Sequence, residues 1–100
     1  SCSTTTGFLA ASDINFKENI ETIYDPLEKL KQLNGYTFDW KETGKKSAGV
    51  IAQEVEKVMP ELVHGDDEKS VDYNGLIGLL IETVKAQQVQ IDDLNKRIEA

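Results

Sequence analysis

The last quarter of this chain repeats with a period of seven. Ile77, Val84, Ile91 and Ile98 stand seven residues apart, and Leu80, Gln87 and Leu94 fall three residues after the first three of them. These are the a and d seam positions of a coiled coil, held over about three heptads. Gln88, Gln90, Asp92, Asp93, Asn95, Lys96 and Arg97 surround the seam, so only a narrow stripe is left to bury. A lone helix of that composition frays, and a partner strand is the remedy. Nearer the start of the helix, Leu76, Leu79 and Ile81 widen the apolar face enough to meet a globular part as well. The period implies self-association and leaves the strand number open. β-branched residues at a with Leu at d are usual in dimers. The wide proximal face and the scarcity of charge at e and g favour more strands.

Ahead of this helix the expected organisation is α+β: a small mixed head of short helices and a β-hairpin. Residues 1–11, SCSTTTGFLAA, are uncharged, and charge begins abruptly at Ser12 and Asp13. That break divides the chain into the end of an upstream segment (1–11), a head (12–75) and the coiled-coil helix (76–100). Within the head, Pro26 opens a short helix carrying Leu27, Leu30 and Leu33, and Asn34-Gly35 stops it. Tyr36-Thr37-Phe38-Asp39-Trp40 alternates as a half-buried strand does, and residues 42–47 read as a polar loop. Helical spacing of Val50, Ile51, Val55, Val58 and Met59 predicts a helix from Ala48 or Gly49 to Met59, ended by Pro60. The aromatic strand face and this helix are the expected core, with Trp40→Ala costing about 3–5 kcal/mol. Leu62-Val63-His64 and Ser70-Val71-Asp72-Tyr73 read as a hairpin, and Asn74 as the cap of a last helix starting at Gly75.

Composition excludes several classes of function. A net charge of −7 disfavours nucleic acid, whose phosphates need a basic surface. A self-associated form multiplies that charge, so assembly must rest on apolar contacts. No apolar run reaches the length that spans a bilayer, and no signal peptide opens the chain. One cysteine, Cys2, rules out an internal disulfide framework. With one histidine besides, no metal site of ordinary ligand set is expected, and no cofactor motif is present.

Chemistry has one candidate. Ser12 and Lys17 stand at the compositional break. A serine hydroxyl becomes a useful nucleophile when a base takes its proton, and a lysine does this once burial has made it neutral. Phe16 and Ile20 are the apolar neighbours available to bury it. Five residues span about 140° around an α-helix, so the pair meets only across a turn or bend. By itself the spacing is ordinary surface decoration. His64 reads as a solvated turn residue.

Four segments carry a resemblance: SDINFKENI (12–20), LEKLKQLNGYTFDWK (27–41), AGVIAQEVEKVMPELV (48–63) and KSVDYNGLIGLLIETVKAQQVQI (69–91). They resemble the peptidase S74 family, the intramolecular chaperone at the C-terminus of endosialidase-type phage tail spikes and many tail fibres. A related chaperone domain occurs in myelin regulatory factor. The resemblance implies a trimeric coiled-coil stalk, hence a homotrimer whose seam is Ile77, Leu80, Val84, Gln87, Ile91, Leu94 and Ile98. It implies that the heads guide folding of an upstream passenger of the same chain and then cut themselves free at Ser12. The bond to Ala11 is the expected site, and the bond on the other side of Ser12 the alternative. It places the catalytic pair on Ser12 and Lys17. Asp13 belongs to the same motif, either orienting the pair or capping the turn that follows. Asn15 departs from the family, which often has Arg there. The implied location is the bacterial host cytoplasm during virion assembly, with the released chaperone absent from the mature virion. A cap that trimerises and never cuts is the alternative on the same fold.

Overall fold

The computed structural model describes residues 9–99. Cys2 and most of the segment 1–11, read above as the end of a passenger, lie outside the described residues. The chain is α+β. After a single 3-10 turn at Ile14–Phe16 come α1 (Pro26–Leu30), β1 (Tyr36–Asp39), β2 (Lys46–Gly49), α2 (Ala52–Val58), β3 (Val63–His64), β4 (Ser70–Val71) and α3 (Tyr73–Glu99), with a second 3-10 turn at Pro60–Leu62. The strands form two separate antiparallel ribbons. β1 pairs with β2 from Tyr36↔Gly49 to Asp39↔Lys46, and β3 pairs with β4 through Val63↔Val71 and His64↔Ser70.

Local chemistry accounts for the element ends. Pro26 occupies the first turn of α1, and the residue before it, Asp25, stands in the left-handed region at φ 49°, ψ 56°. Gly44, at φ 72°, closes the β1–β2 loop by donating its N–H to the Trp40 carbonyl at 2.7 Å. Gly65, at φ 95°, makes the β3–β4 turn, where any Cβ would lie 2.4 Å from the Glu68 carbonyl oxygen. Met59 leaves the helical region ahead of Pro60, which ends α2.

Three expectations are corrected here. The helix expected from residue 48 or 49 begins at Ala52, and residues 46–49 are a strand. Helical spacing of Val50 and Ile51 was misleading, because their neighbours satisfy backbone groups across the ribbon with β1. Asn74 does not cap the last helix. Asp72 does, its Oδ1 accepting from the Asn74 N–H at 3.1 Å, and α3 starts at Tyr73. Finally, the core is not the aromatic strand. It comprises Val55, Met59, Leu62, Leu76 and Leu79, with Ile23, Leu30, Leu33, Val50 and Val58 packed around it. Tyr36 and Ile51 are exposed, and Trp40 leaves 56% of its surface in solvent, its ring set edge-on to Phe38 at 4.9 Å.

The core is therefore built where α2, the second 3-10 turn and the first turns of α3 converge. Leu76, Leu79 and Thr83 are the buried residues of α3, and the Thr83 hydroxyl is satisfied by the Leu79 carbonyl at 2.8 Å. Leu76 and Leu79 thus meet the globular part as expected, whereas Ile81 is exposed. From residue 87 to residue 99 every side chain is exposed.

A contrast between two truncations tests this placement. Leu79→Ala is expected to cost about 2–5 kcal/mol, through lost burial and the cavity left behind. Trp40→Ala is expected to cost about 1 kcal/mol, the scale of its aromatic pair. Thermal unfolding that ranks Trp40 with Leu79 would show the aromatic face to be covered in the assembled protein.

A second test uses pH. Tyr36 donates its hydroxyl to Glu54 Oε2 at 2.8 Å, and this bond, with burial second, raises its pKa above 10.0. A raised acid stabilises the fold below its unfolded pKa, and that stability is lost as pH climbs through the raised value. The stability difference between the parent and Tyr36→Phe should stay constant up to about pH 10 and shrink above it. A difference that widens there would contradict the Tyr36–Glu54 bond.

Candidate active site

Ser12 and Lys17 flank the first 3-10 turn. Asp13 is its N-cap, with extended backbone (φ −67°, ψ 138°) and Oδ1 accepting from the Asn15 N–H at 2.9 Å. The Phe16 and Lys17 N–H groups close the turn on the Asp13 and Ile14 carbonyls at 3.0 and 3.1 Å. Lys17 then returns to extended geometry at φ −121°, ψ 146°. One tight turn bounded by extended residues folds the chain back far enough for the two side chains to meet. Lys17 Nζ donates to Ser12 Oγ at 2.8 Å. The pair that an α-helix would hold apart is joined because the segment is not an α-helix.

The capping role of Asp13 is the one visible in this geometry. By holding the turn it sets the distance between its neighbours. Asn15, the departure from the family pattern, contributes its backbone amide to that cap.

The apolar shelter expected around Lys17 is missing from the single chain. Phe16 is 81% exposed and Ile20 64%, and the Ser12–Lys17 bond itself lies in solvent. Phe16 and Ile20 stand beside the lysine as uncovered apolar surface. His64 is exposed at the end of β3.

The chain upstream of Ser12 borders a cleft of about 550 Å³. Leu9, Ala10 and Ala11 form one wall, and Val71, Tyr73 and Asn74 contribute to the other. Sequence reasoning missed this second wall. Nothing in the spacing of residues 71–74 signals that the β4–α3 corner lies across from residues sixty positions earlier. Among the described residues no cluster of three or more His, Cys, Asp or Glu is placed to hold a metal ion. No described helix is long and apolar enough to cross a membrane.

The exposed seam is a second candidate site. Ile77, Leu80, Val84, Ile91, Leu94 and Ile98 all face solvent on α3, and Gln87 is exposed among them. A solitary helix presenting such a row has an unpartnered face.

Comparison with known proteins matches residues 12–64 to the peptidase S74 family, described as the chaperone of endosialidase. The chain is 41% identical over 80 residues to the long tail fiber protein Gp37 of Escherichia phage AR1, covering 68% of this chain and 7% of that protein. Against Gp37 of Salmonella phage S16 the identity is 31% over 102 residues, covering 89% of this chain and 14% of the relative. Gp37 of Enterobacteria phage K3 is 30% identical over 98 residues, 87% of this chain and 8% of the relative. The chain belongs to the peptidase S74 family of endosialidase chaperones. It spans between 7% and 14% of the length of these tail fiber relatives.

Proposed function

We propose that this domain is an intramolecular chaperone that trimerises, guides folding of an upstream tail fibre or tail spike segment, and then cuts itself free. The observation that carries the cutting step is the 2.8 Å contact of Lys17 Nζ with Ser12 Oγ, in the segment where the family match begins. The chaperone role is supported by the family and by relatives that are long tail fiber proteins. On this reading residues 1–11 end the passenger, residues 12–75 form the head, and residues 76–100 form the stalk. The work takes place in the bacterial host cytoplasm during virion assembly, and the freed chaperone does not enter the mature virion.

The chemistry follows from the two side chains. Neutral Lys17 takes the hydroxyl proton as Ser12 Oγ attacks the Ala11 carbonyl carbon. The carbon–nitrogen bond of Ala11–Ser12 breaks, and the lysine passes the proton to the departing Ser12 amine. An ester then joins Ala11 to Ser12 Oγ. Water adds to that ester, leaving a carboxylate on Ala11 and restoring the serine hydroxyl. A lysine serves as this base only when uncharged, and burial favours the uncharged form. Assembly supplies that burial on this reading, because Phe16 and Ile20 are apolar surfaces that a neighbouring subunit can cover. Cutting is thereby delayed until three chains have met. The released passenger would keep its fold through a high barrier to unfolding.

Trimerisation is assigned to α3. The solvent-facing seam residues are those a parallel coil would bury, and residues 87–99 have no other cover among the described residues. The chain's net charge of −7 makes this apolar seam the main source of cohesion.

Two sets of variants test the reading. Ser12→Ala, Lys17→Ala and Lys17→Arg are each expected to fold, assemble and stay uncut, arginine failing because it remains protonated. Mass spectrometry should find the parent separated at Ser12. Normal cutting in Lys17→Ala overturns the mechanism, and a parent that stays whole leaves a cap that trimerises without cutting. Val84→Asp would bring three carboxylates to the stalk axis, where desolvation and repulsion oppose assembly. Sedimentation should show that variant as monomer, and an undisturbed trimer removes α3 from the interface.

A further inference from the structure

We infer that Tyr73 is a positioning residue for self-cleavage, forming with Val71 and Asn74 a subsite that holds Leu9, Ala10 and Ala11 extended toward Ser12. The inference rests on the autoproteolytic reading and names the part of the chain that presents its substrate strand.

Tyr73 is held from two sides. It is the first residue of α3, directly after the cap Asp72. The Asp72 N–H donates to the Leu62 carbonyl at 2.7 Å, tying this corner to the core. Two residues on, Gly75 lies so close to Leu62 that a Cβ would stand 2.1 Å from its Cδ2. Tyr73 itself reaches the other way. Its hydroxyl accepts from the Val50 N–H at 3.3 Å, and it sits over Gly49, where a Cβ would meet that hydroxyl at 2.6 Å. Its hydroxyl is thus anchored at the end of β2, while its backbone opens α3 next to a residue tied to the core.

Tyr73 lines the cleft that Leu9, Ala10 and Ala11 also border. The head thus contributes rigid elements on one wall and the strand leading into the scissile bond on the other. Placement of this kind is what an intramolecular attack requires, since small displacements of nucleophile and carbonyl cost large factors in rate. The chemistry on the substrate side is matching. Ala10 and Ala11 let the backbone approach, and Leu9 offers an apolar side chain that is 73% exposed at the mouth of the cleft. The class of substrate recognised is an uncharged strand with small residues at its last two positions and an aliphatic residue before them.

Tyr73 also carries information about folding. Its hydroxyl contact exists only when the β1–β2 ribbon has closed, and its backbone belongs to the helix that bears the seam. A strand held against Tyr73 is held only by a head whose ribbon and stalk base are both formed.

The test measures the rate at which the uncut 100-residue chain disappears during cell-free synthesis, for the parent, Leu9→Asp, Tyr73→Ala and the double variant. Thermal unfolding of the same substitutions in an uncut Ser12→Ala background separates rate from stability. Leu9→Asp, which alters an exposed residue upstream of the head, is expected to slow cutting about tenfold or more with the unfolding temperature unmoved. Tyr73→Ala should slow it similarly, and Tyr73→Phe should recover most of that loss by keeping the ring. The double variant should be no slower than the slower single, because both act through one contact. Losses that multiply in the double variant, or a Leu9→Asp chain cut at the parental rate, overturn the subsite. A parent that remains whole, or a Ser12→Ala chain that is cut, overturns the autoproteolytic reading and the subsite with it.

Discussion

Everything in this molecule depends on how the first turns of α3 seat against α2 and the turn at Pro60–Leu62. Leu76 and Leu79 meet Val55, Met59 and Leu62 there, and these five residues are the buried apolar core among the described residues. A head with two short ribbons and two short helices cannot bury much surface, so one long helix supplies two of the five. The close passage of Gly75 over Leu62 shows how tight the joint is. Stalk direction, ribbon position and the cleft beside Tyr73 are all set by it.

The same helix has two different surroundings along its length. Its proximal residues face the head, and its distal residues face solvent with an apolar seam. The change comes between Thr83, fully enclosed, and residue 87, beyond which no side chain is covered. A helix so arranged transmits position: whatever fixes the stalk also fixes the head, and with it the wall opposite residues 9–11. Assembly and chemistry are thereby physically connected in the proposed function, without any movement of the fold itself.

Much of the architecture was legible from residue patterns. Pro26, Pro60 and Gly65 mark real element boundaries, because proline and glycine act through the local backbone alone. Helix α1, by contrast, ends at Leu30, short of Leu33 and of the stop expected at Asn34-Gly35. The heptad positions turned out to be solvent-facing on α3, since helical periodicity survives any tertiary environment. The Ser12–Lys17 pair was found by its residue types at a compositional break and by resemblance, and the 3-10 turn capped by Asp13 joins it. Other features were not legible. Residues 46–49, Lys-Ser-Ala-Gly, carry no strand alternation of their own and adjoin the helix-like spacing of Val50, Ile51 and Val55, so only pairing with β1 makes them a strand. Phe38 and Trp40 alternate as core residues do, yet the core formed elsewhere, around a helix that contributes more contiguous apolar surface. The shelter expected from Phe16 and Ile20 is absent among the described residues, where both side chains stand largely exposed beside the first turn.

The sequence by itself determined the α+β character, the long terminal helix with its heptad spacing, and the pairing of Ser12 with Lys17 at a compositional break, because turn chemistry, heptad period and functional groups are local properties. Tertiary structure alone decided which apolar residues are enclosed, which strand pairs with β1, and what lies across from the strand entering Ser12. Those outcomes depend on contacts between residues distant along the chain. Tyr73 reaches Gly49 and lines a cleft with Leu9 only after the core has brought the start of α3 to that corner.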